Sequence, residues 1–319
     1  MNLAPRRAGA LAAAVLLGLA LPAAPVSAGG VARVVKATTT GAPTLATRLT
    51  AVQTAQPINY YPASAGWSKM WTAFDAAQID ADLAKAAALG ATDVRALIFP
   101  ETFGYPTPKT EYRDKLATFV ALAAARKMTV KFTLFDWWGG YSDVAGSIAW
   151  ATAILKPYEN DQRVIAVELQ NELDPANAKA VGWARKLIPA VRSAFPTLPL
   201  TISVNGASGV TGMAQLRAAL AGTPLDYVDF HYYGNSERAL ATIRQAQATV
   251  SPTPMVIGET GLNTLQNTEG EQAAFLARVF QGAAGAGVRS VAPWTLTDFA
   301  AGAIPPSAVA KTRARCTRR

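Results

Sequence analysis

The residues of this 319-residue chain best suited to chemistry stand at the ends of apolar runs. RVIAVELQNELD, residues 163–174, begins like a strand buried on both faces and finishes on Asn171 and Glu172. PMVIGET, residues 254–260, finishes on Glu259 in the same way. Burying an ionised carboxylate without a partner costs several kcal/mol, so each glutamate must either reach solvent or perform a task. Other apolar runs repeat the arrangement. TDVRALIF passes through Arg95, TVKFTLFD leads into Asp136, Trp137 and Trp138, DYVDFHYY carries His231 and Tyr233, and VRSVAPWTL contains Trp294. Carboxylates, one imidazole, one guanidinium and several aromatic rings are therefore candidates for a single site. Two carboxyl groups brought close together cannot both ionise cheaply, and such a pair divides into an acid and a base.

The elements that must position these residues alternate along the chain. Strand-type runs lie near 57–61, 92–99, 129–136, 163–170, 198–205, 226–233, 254–260 and 288–296, and helical patterns separate them. DAAQIDADLAKAAALG stops at Gly90, a helix C-terminal residue, and its Asp75, Asp80 and Asp82 read as a solvated face. TEYRDKLATFVALAAARK opens on Thr110 as an N-cap candidate and ends on Arg126 and Lys127. Later helices are expected near 142–159, 177–194, 211–221, 236–249 and 269–286. Eight strands with intervening helices predict an α/β fold of the (β/α)8 TIM-barrel type, in which strand C-terminal ends form the active face. An open doubly wound sheet would want a phosphate-binding glycine loop after an early strand, and the sequence has none there.

With the motifs placed on strands, the body of the chain resembles glycoside hydrolase family 5 and related barrel glycosidases. VELQNEL resembles that family's Asn-Glu signature on the fourth strand, DFHYYG its His-x-Tyr on the sixth, VIGETG its glutamate on the seventh and PWTLTDF its tryptophan on the eighth. Two departures stand out. Leu173 and Asp174 follow the Asn-Glu pair where the family usually has proline. The histidine that often follows the third strand is missing, and Asp136 stands near its place. The resemblance implies a retaining β-glycan hydrolase, of the cellulase-like endoglucanase or mannanase type, acting by double displacement. It implies Glu259 as nucleophile and Glu172 as acid/base. Arg95 and Tyr233 would hold Glu259 ionised, and Asn171 would contact the sugar 2-hydroxyl. Trp294 would lie under the ring with His231 beside it, and Asp136 and Trp137 would line the pocket. It implies no metal and no organic cofactor, and a polysaccharide or oligosaccharide as partner.

Each assignment has a plainer rival. Arg95 can serve as a structural partner of Glu168, His231 as a core histidine, and Trp137, Trp138, Tyr61 and Tyr105 as loop plugs rather than sugar platforms. Trp71, Trp150 and Trp183 fall on helical patterns and read as packing. A catalytically inactive carbohydrate-binding protein on the same barrel is the alternative of a different class; both glutamates being present argues against it. A serine hydrolase is disfavoured, since no G-x-S-x-G occurs and the chain has a single histidine.

The ends of the chain read differently from its body. Arg6 and Arg7, an apolar run and the small residues before Ala28 form a secretory signal pattern over 1–28, so an extracellular, monomeric protein is expected, with no membrane attachment after cleavage. Residues 29–50 read as a flexible lead-in, 51–304 as the barrel and 305–319 as a basic tail. The tail shows no helical period, so an eighth closing helix is expected to be absent, as in a truncation or frame change, leaving an apolar seam that Val31–Val35 could partly fill. The formal charge of +9 falls to +7 without the two leader arginines and to +2 without the five basic groups of the last nine residues. Such a body gives no reason to propose nucleic-acid binding. Cys316, the single cysteine, excludes an internal disulfide and a thiolate zinc site.

Overall fold

The computed structural model describes residues 41–300 and 302–304. Its strands are all parallel: β1 (Pro57–Asn59), β2 (Asp93–Leu97), β3 (Thr129–Phe135), β4 (Val164–Gln170), β5 (Leu200–Thr201), β6 (Ser203–Val204), β7 (Val228–Tyr232), β8 (Met255–Thr260) and β9 (Val291–Pro293). They pair in the orders β1-β2-β3-β4-β5 and β6-β7-β8-β9. β5 and β6 are one expected strand interrupted at Ile202, so eight barrel positions are filled. Between β9 and β1 no strand ladder is recorded among the described residues, but Asn59 ties the two. Its carbonyl accepts from Leu296 N–H at 3.0 Å and Thr295 Oγ1 at 2.8 Å, and its Nδ2 donates to Gly258 O at 2.9 Å and Pro293 O at 3.2 Å. The fold is the (β/α)8 barrel that the alternation predicts.

Helices α1 (Leu45–Thr54), α2 (Lys69–Thr72), α3 (Ala76–Ala88), α4 (Pro100–Phe103), α5 (Thr110–Ala125), α6 (Val144–Leu155), α7 (Ala178–Ala194), α8 (Gly209–Ala219), α9 (Ala239–Val250) and α10 (Glu269–Gly285) surround the strands. In α3 the residues Ile79, Asp82, Leu83 and Ala86 share one buried stripe, the i, i+3, i+4, i+7 spacing of an amphipathic helix. Asp82 is thereby corrected from a solvated residue to a buried one, bonded by Tyr60 Oη at 3.1 Å and Lys85 Nζ at 2.9 Å. Asp75 is the α3 N-cap, accepting from the amides of Ala77 and Gln78. Thr110 is the first residue of α5, and the N-cap is Lys109, without a side-chain bond.

Part of the expected lead-in is also corrected. From Leu45 the chain is helical, opened by a Thr44–Thr47 capping box. Val52 and Ala55 pack with Ile165, Ala166, Tyr227 and Val256 in a small apolar cluster of their own. Ile165, Tyr227 and Val256 stand at or near the starts of β4, β7 and β8, so α1 plugs the barrel at the end opposite the strand C-termini. Arg48, 2% exposed, donates to the carbonyls of Tyr158, Glu159 and Asp161 and to Thr197 Oγ1. It thereby caps the chain reversals below β4 and β5.

No helix follows β9 among the described residues; the signal pattern, Val31–Val35 and residues 305–319 lie outside them. Between α3, α10 and the β9–β1 junction runs a groove lined by Ile58, Ala86, Leu89, Phe280, Val291 and Leu296. Leu89 is 80% and Phe280 39% exposed, so this groove presents apolar surface among the described residues. No helix among the described residues is long and apolar enough to cross a membrane.

Candidate active site

β2 runs Asp93–Leu97 with every residue buried, and it carries Arg95 across the barrel interior. The guanidinium is completely buried and donates in five directions: to Glu259 Oε1, to Glu168 Oε2 at 2.6 Å, to Asn171 Oδ1 at 2.7 Å, to Thr133 Oγ1 at 2.8 Å and to Asn59 Oδ1 at 3.0 Å. Its structural role with Glu168 and its contact with Glu259 therefore coexist. Burial pushes the Glu168 carboxyl up, but Arg95, then Lys131 and His231, outweigh this and hold it at about 2. For Arg95, desolvation is outweighed by Glu168 and Glu259, and its pKa is raised.

Glu259 lies within β8, 5% exposed. Besides Arg95, its Oε2 accepts from Tyr233 Oη at 2.9 Å and lies 3.4 Å from His231 Nδ1. Burial and the neighbouring Glu259 raise the Tyr233 phenol well above its usual value, so it stays a donor. Glu172 stands two residues beyond the end of β4 with φ of +49°. A non-glycine residue in the left-handed region is uncommon and recurs at functional sites. Its amide donates to Ser203 Oγ at 2.8 Å, which fixes this turn. Its carboxyl receives Asn205 Nδ2 at 3.2 Å and faces His231 Nδ1 at 3.3 Å. Glu172, His231 and Glu259 each bring a ligand-type atom within 4.8 Å of the others. His231 is fully buried; desolvation lowers its pKa, but Glu259, Glu172 and Asp229 outweigh this and the net shift is upward.

The remaining expected residues converge on the same rim. Asn171 Nδ2 donates to Asp136 Oδ1 at 2.9 Å, so Asp136 orients the amide whose oxygen Arg95 holds. Trp294 and Trp137 border an aromatic wall with Trp67, whose ring centroid lies 5.8 Å from Trp137, 6.2 Å from Trp294 and 5.3 Å from Phe299. Tyr61 is fully buried behind Trp67 and Trp294 and acts as packing. Trp138 packs on Tyr105 and Phe135. Trp71, Trp150 and Trp183 are buried, each with its indole N–H bonded to an oxygen. Sequence reasoning missed Trp67, Asn59 and Asn205. Asn205 was open to recognition as the polar end of the 198–205 run, whereas Trp67 sits in a loop without periodicity.

A second trio, Glu168, Asp229 and His231, also has ligand-type atoms within 4.8 Å of one another. Glu168 is already matched by Arg95, and Asp229 by Lys131 Nζ at 2.6 Å. Both carboxylates of this second trio are thus paired with a cationic side chain.

No family model matches the sequence, and no curated protein does. Solved structures match the fold. An exo-β-1,4-mannosidase, Op5Man5 from Opitutaceae bacterium strain TAV5, superposes with a TM-score of 0.66 at 20% identity, over 81% of this chain. This chain spans 54% of that protein, about half its length. A GH5_18 enzyme from Streptomyces cattleya in complex with Manβ1-4GlcNAc gives 0.65 at 18% identity, covering 80% of this chain and 74% of that one. A hyperthermophilic endo-β-1,4-glucanase in complex with substrate gives 0.64 at 16%, covering 81% and 93%. The chain has the barrel fold of the glycoside hydrolase family 5 enzymes.

Proposed function

We propose that the protein is a secreted, retaining glycoside hydrolase acting on a β-linked glycan, with Glu259 as nucleophile and Glu172 as acid/base. The observation that carries this reading is the approach of one oxygen each of Glu172 and Glu259 to within 4.8 Å at the strand ends. Retaining glycosidases place their carboxyl groups ~5–5.5 Å apart, whereas inverting ones leave ~6.5–9.5 Å for a water.

The surroundings fit unequal roles. Glu259 receives Arg95 and Tyr233, donors that favour a carboxylate. In the first step Glu259 attacks the anomeric carbon as the glycosidic bond breaks, and Glu172 gives its proton to the departing oxygen. Arg95 keeps Glu168 as counter-ion once Glu259 is esterified, so no buried guanidinium is stranded. Glu172, now ionised, takes a proton from water. The water attacks the anomeric carbon, and Glu259 leaves as carboxylate. Asn171, fixed by Arg95 and Asp136, presents its second amide hydrogen toward the sugar 2-hydroxyl. The Trp67–Trp137–Trp294 wall supplies apolar faces for pyranose rings.

The similar structures include a β-1,4-mannosidase, an endo-β-1,4-mannanase and an endo-β-1,4-glucanase, which favours a β-1,4-linked mannose- or glucose-containing substrate. The test is hydrolysis of a panel of β-1,4-mannan, β-1,4-glucan and β-1,3-glucan oligosaccharides, followed by proton NMR at early times. The β-anomer should appear first, and initial release of the α-anomer would refute retention. Secretion is tested by finding the protein in the culture medium, with a new N-terminus near Gly29.

A further inference from the structure

Beneath the two glutamates lies a charged pair that the proposed reaction does not use. Lys131 of β3 and Asp229 of β7 are both buried, and Nζ meets Oδ2 at 2.6 Å. The other oxygen, Oδ1, makes no hydrogen bond and lies 3.8 Å from His231 Nε2, which likewise has no hydrogen-bond partner. Glu168, which has Ser203 as a hydrogen-bond partner, brings a carboxylate oxygen within 4.8 Å of both residues. The space for Asp229 exists because residue 258 is glycine. A Cβ there would stand 1.9 Å from Oδ1.

We propose that Asp229, anchored by Lys131 and given room by Gly258, is a positioning residue that keeps a proton on Nε2 of His231, so that the ring exchanges protons only at Nδ1, between Glu172 and Glu259. The physical reason is donor supply. On the Nε2 side the ring faces Asp229 from its own strand and Glu168 from β4, both acceptors. A bare Nε2 would face Asp229 Oδ1 at 3.8 Å as two buried acceptors with no proton between them. On the Nδ1 side it faces Glu172 at 3.3 Å and Glu259 at 3.4 Å. Arg95 from β2 is engaged with Glu168 and Glu259, Lys131 from β3 with Asp229, and Tyr233 with Glu259. In the neutral ring, Nδ1 then has a free lone pair and accepts from protonated Glu172, keeping the acid protonated until the leaving oxygen takes the proton. In the charged ring, Nδ1–H donates to whichever glutamate is ionised.

His231 is the single histidine of the chain, so one 15N-histidine-labelled sample reports its tautomer and titration without assignment. In the full-length protein, the NMR pattern of the neutral ring should be that of Nε2–H with Nδ1 bare. Asp229→Asn offers an amide N–H to Nε2 and should shift the ring toward the Nδ1–H tautomer. Gly258→Ala, which displaces the carboxylate without removing its charge, should do the same. A neutral wild-type ring carrying its proton on Nδ1 would overturn the proposal, as would an unchanged tautomer in a folded Asp229→Asn protein. If neither variant folds, the wild-type spectrum decides alone. The kinetic consequence rests on Glu172 being the acid. Asp229→Asn should then lower turnover about tenfold on glycans with poor leaving groups and about twofold on activated aryl glycosides, and move the alkaline limb of the pH profile downward. A protein without glycosidase activity would refute the functional reading and leave the tautomer measurement standing.

Discussion

At the scale of the residue, the two glutamates are distinguished by their partners. Glu259 is bound by a guanidinium and a phenol, Glu172 by an amide, a backbone turn and an imidazole. Glu259→Ala should abolish turnover on every substrate, because a better leaving group does not replace a nucleophile. Glu172→Ala should keep activity on aryl glycosides with good leaving groups, and azide should accelerate it, since an anion needs no general base. Steady-state assays on both substrate classes, with and without azide, check this; equal loss in both variants and no azide response would reverse or remove the assignment. Tyr233→Phe removes one donor to Glu259 and should cost about 10- to 100-fold in kcat. These residues were readable in the sequence because each polar group ends an apolar run, and only the active face of a barrel accommodates that. Lys131 and Asp229 were not, because a charged residue within a strand looks the same whether its partner is solvent or another strand. Their pairing depends on β3 and β7 meeting across the barrel.

At the scale of the element, the strands were legible through runs of branched and aromatic residues, and the helices through apolar stripes. The misreading fell on α1. LATRLTAVQT has no acidic residue and a weak stripe, with only Arg48 and Val52 buried, so its composition resembles a linker. What holds it is tertiary: Arg48 answers four acceptors in two chain segments, 158–161 and Thr197. Arg48→Ala leaves several of these buried acceptors unpaired and should destabilise the protein by about 2–4 kcal/mol, read as a lower urea midpoint with unchanged slope. Another element-scale effect sits at the start of β2. Burial raises the Asp93 carboxyl to about 7, against smaller opposing effects of Thr129 and Lys131. Between about pH 4 and 7 the folded chain keeps a proton that the unfolded chain has released, so this group's contribution falls as pH rises through that window. Asp93→Asn should therefore melt at a temperature closer to the wild type at pH 4 and relatively higher at pH 8. A constant difference across pH would show that Asp93 does not titrate in this range.

At the scale of the whole molecule, the barrel is finished unevenly. One end is stoppered by α1, and the other carries the charged and aromatic rim. The groove between α3 and α10 leaves Leu89 and Phe280 facing outward. Apolar surface of this kind promotes association. Leu89→Lys with Phe280→Lys should raise solubility at little cost in melting temperature, whereas an amphipathic helix appended after Ile304 should raise the melting temperature. Light scattering and calorimetry separate the two effects, and a large loss of melting temperature in the double variant would mean that the groove is already covered. The stopper has a practical corollary. Strand-and-helix alternation tempts one to begin the domain at residue 51, but such a cut would sever α1 and discard Arg48 together with the Thr44 cap. Any proteolytic maturation compatible with the folded barrel must therefore stop short of Thr44, and an affinity tag joined ahead of that threonine leaves the stopper whole.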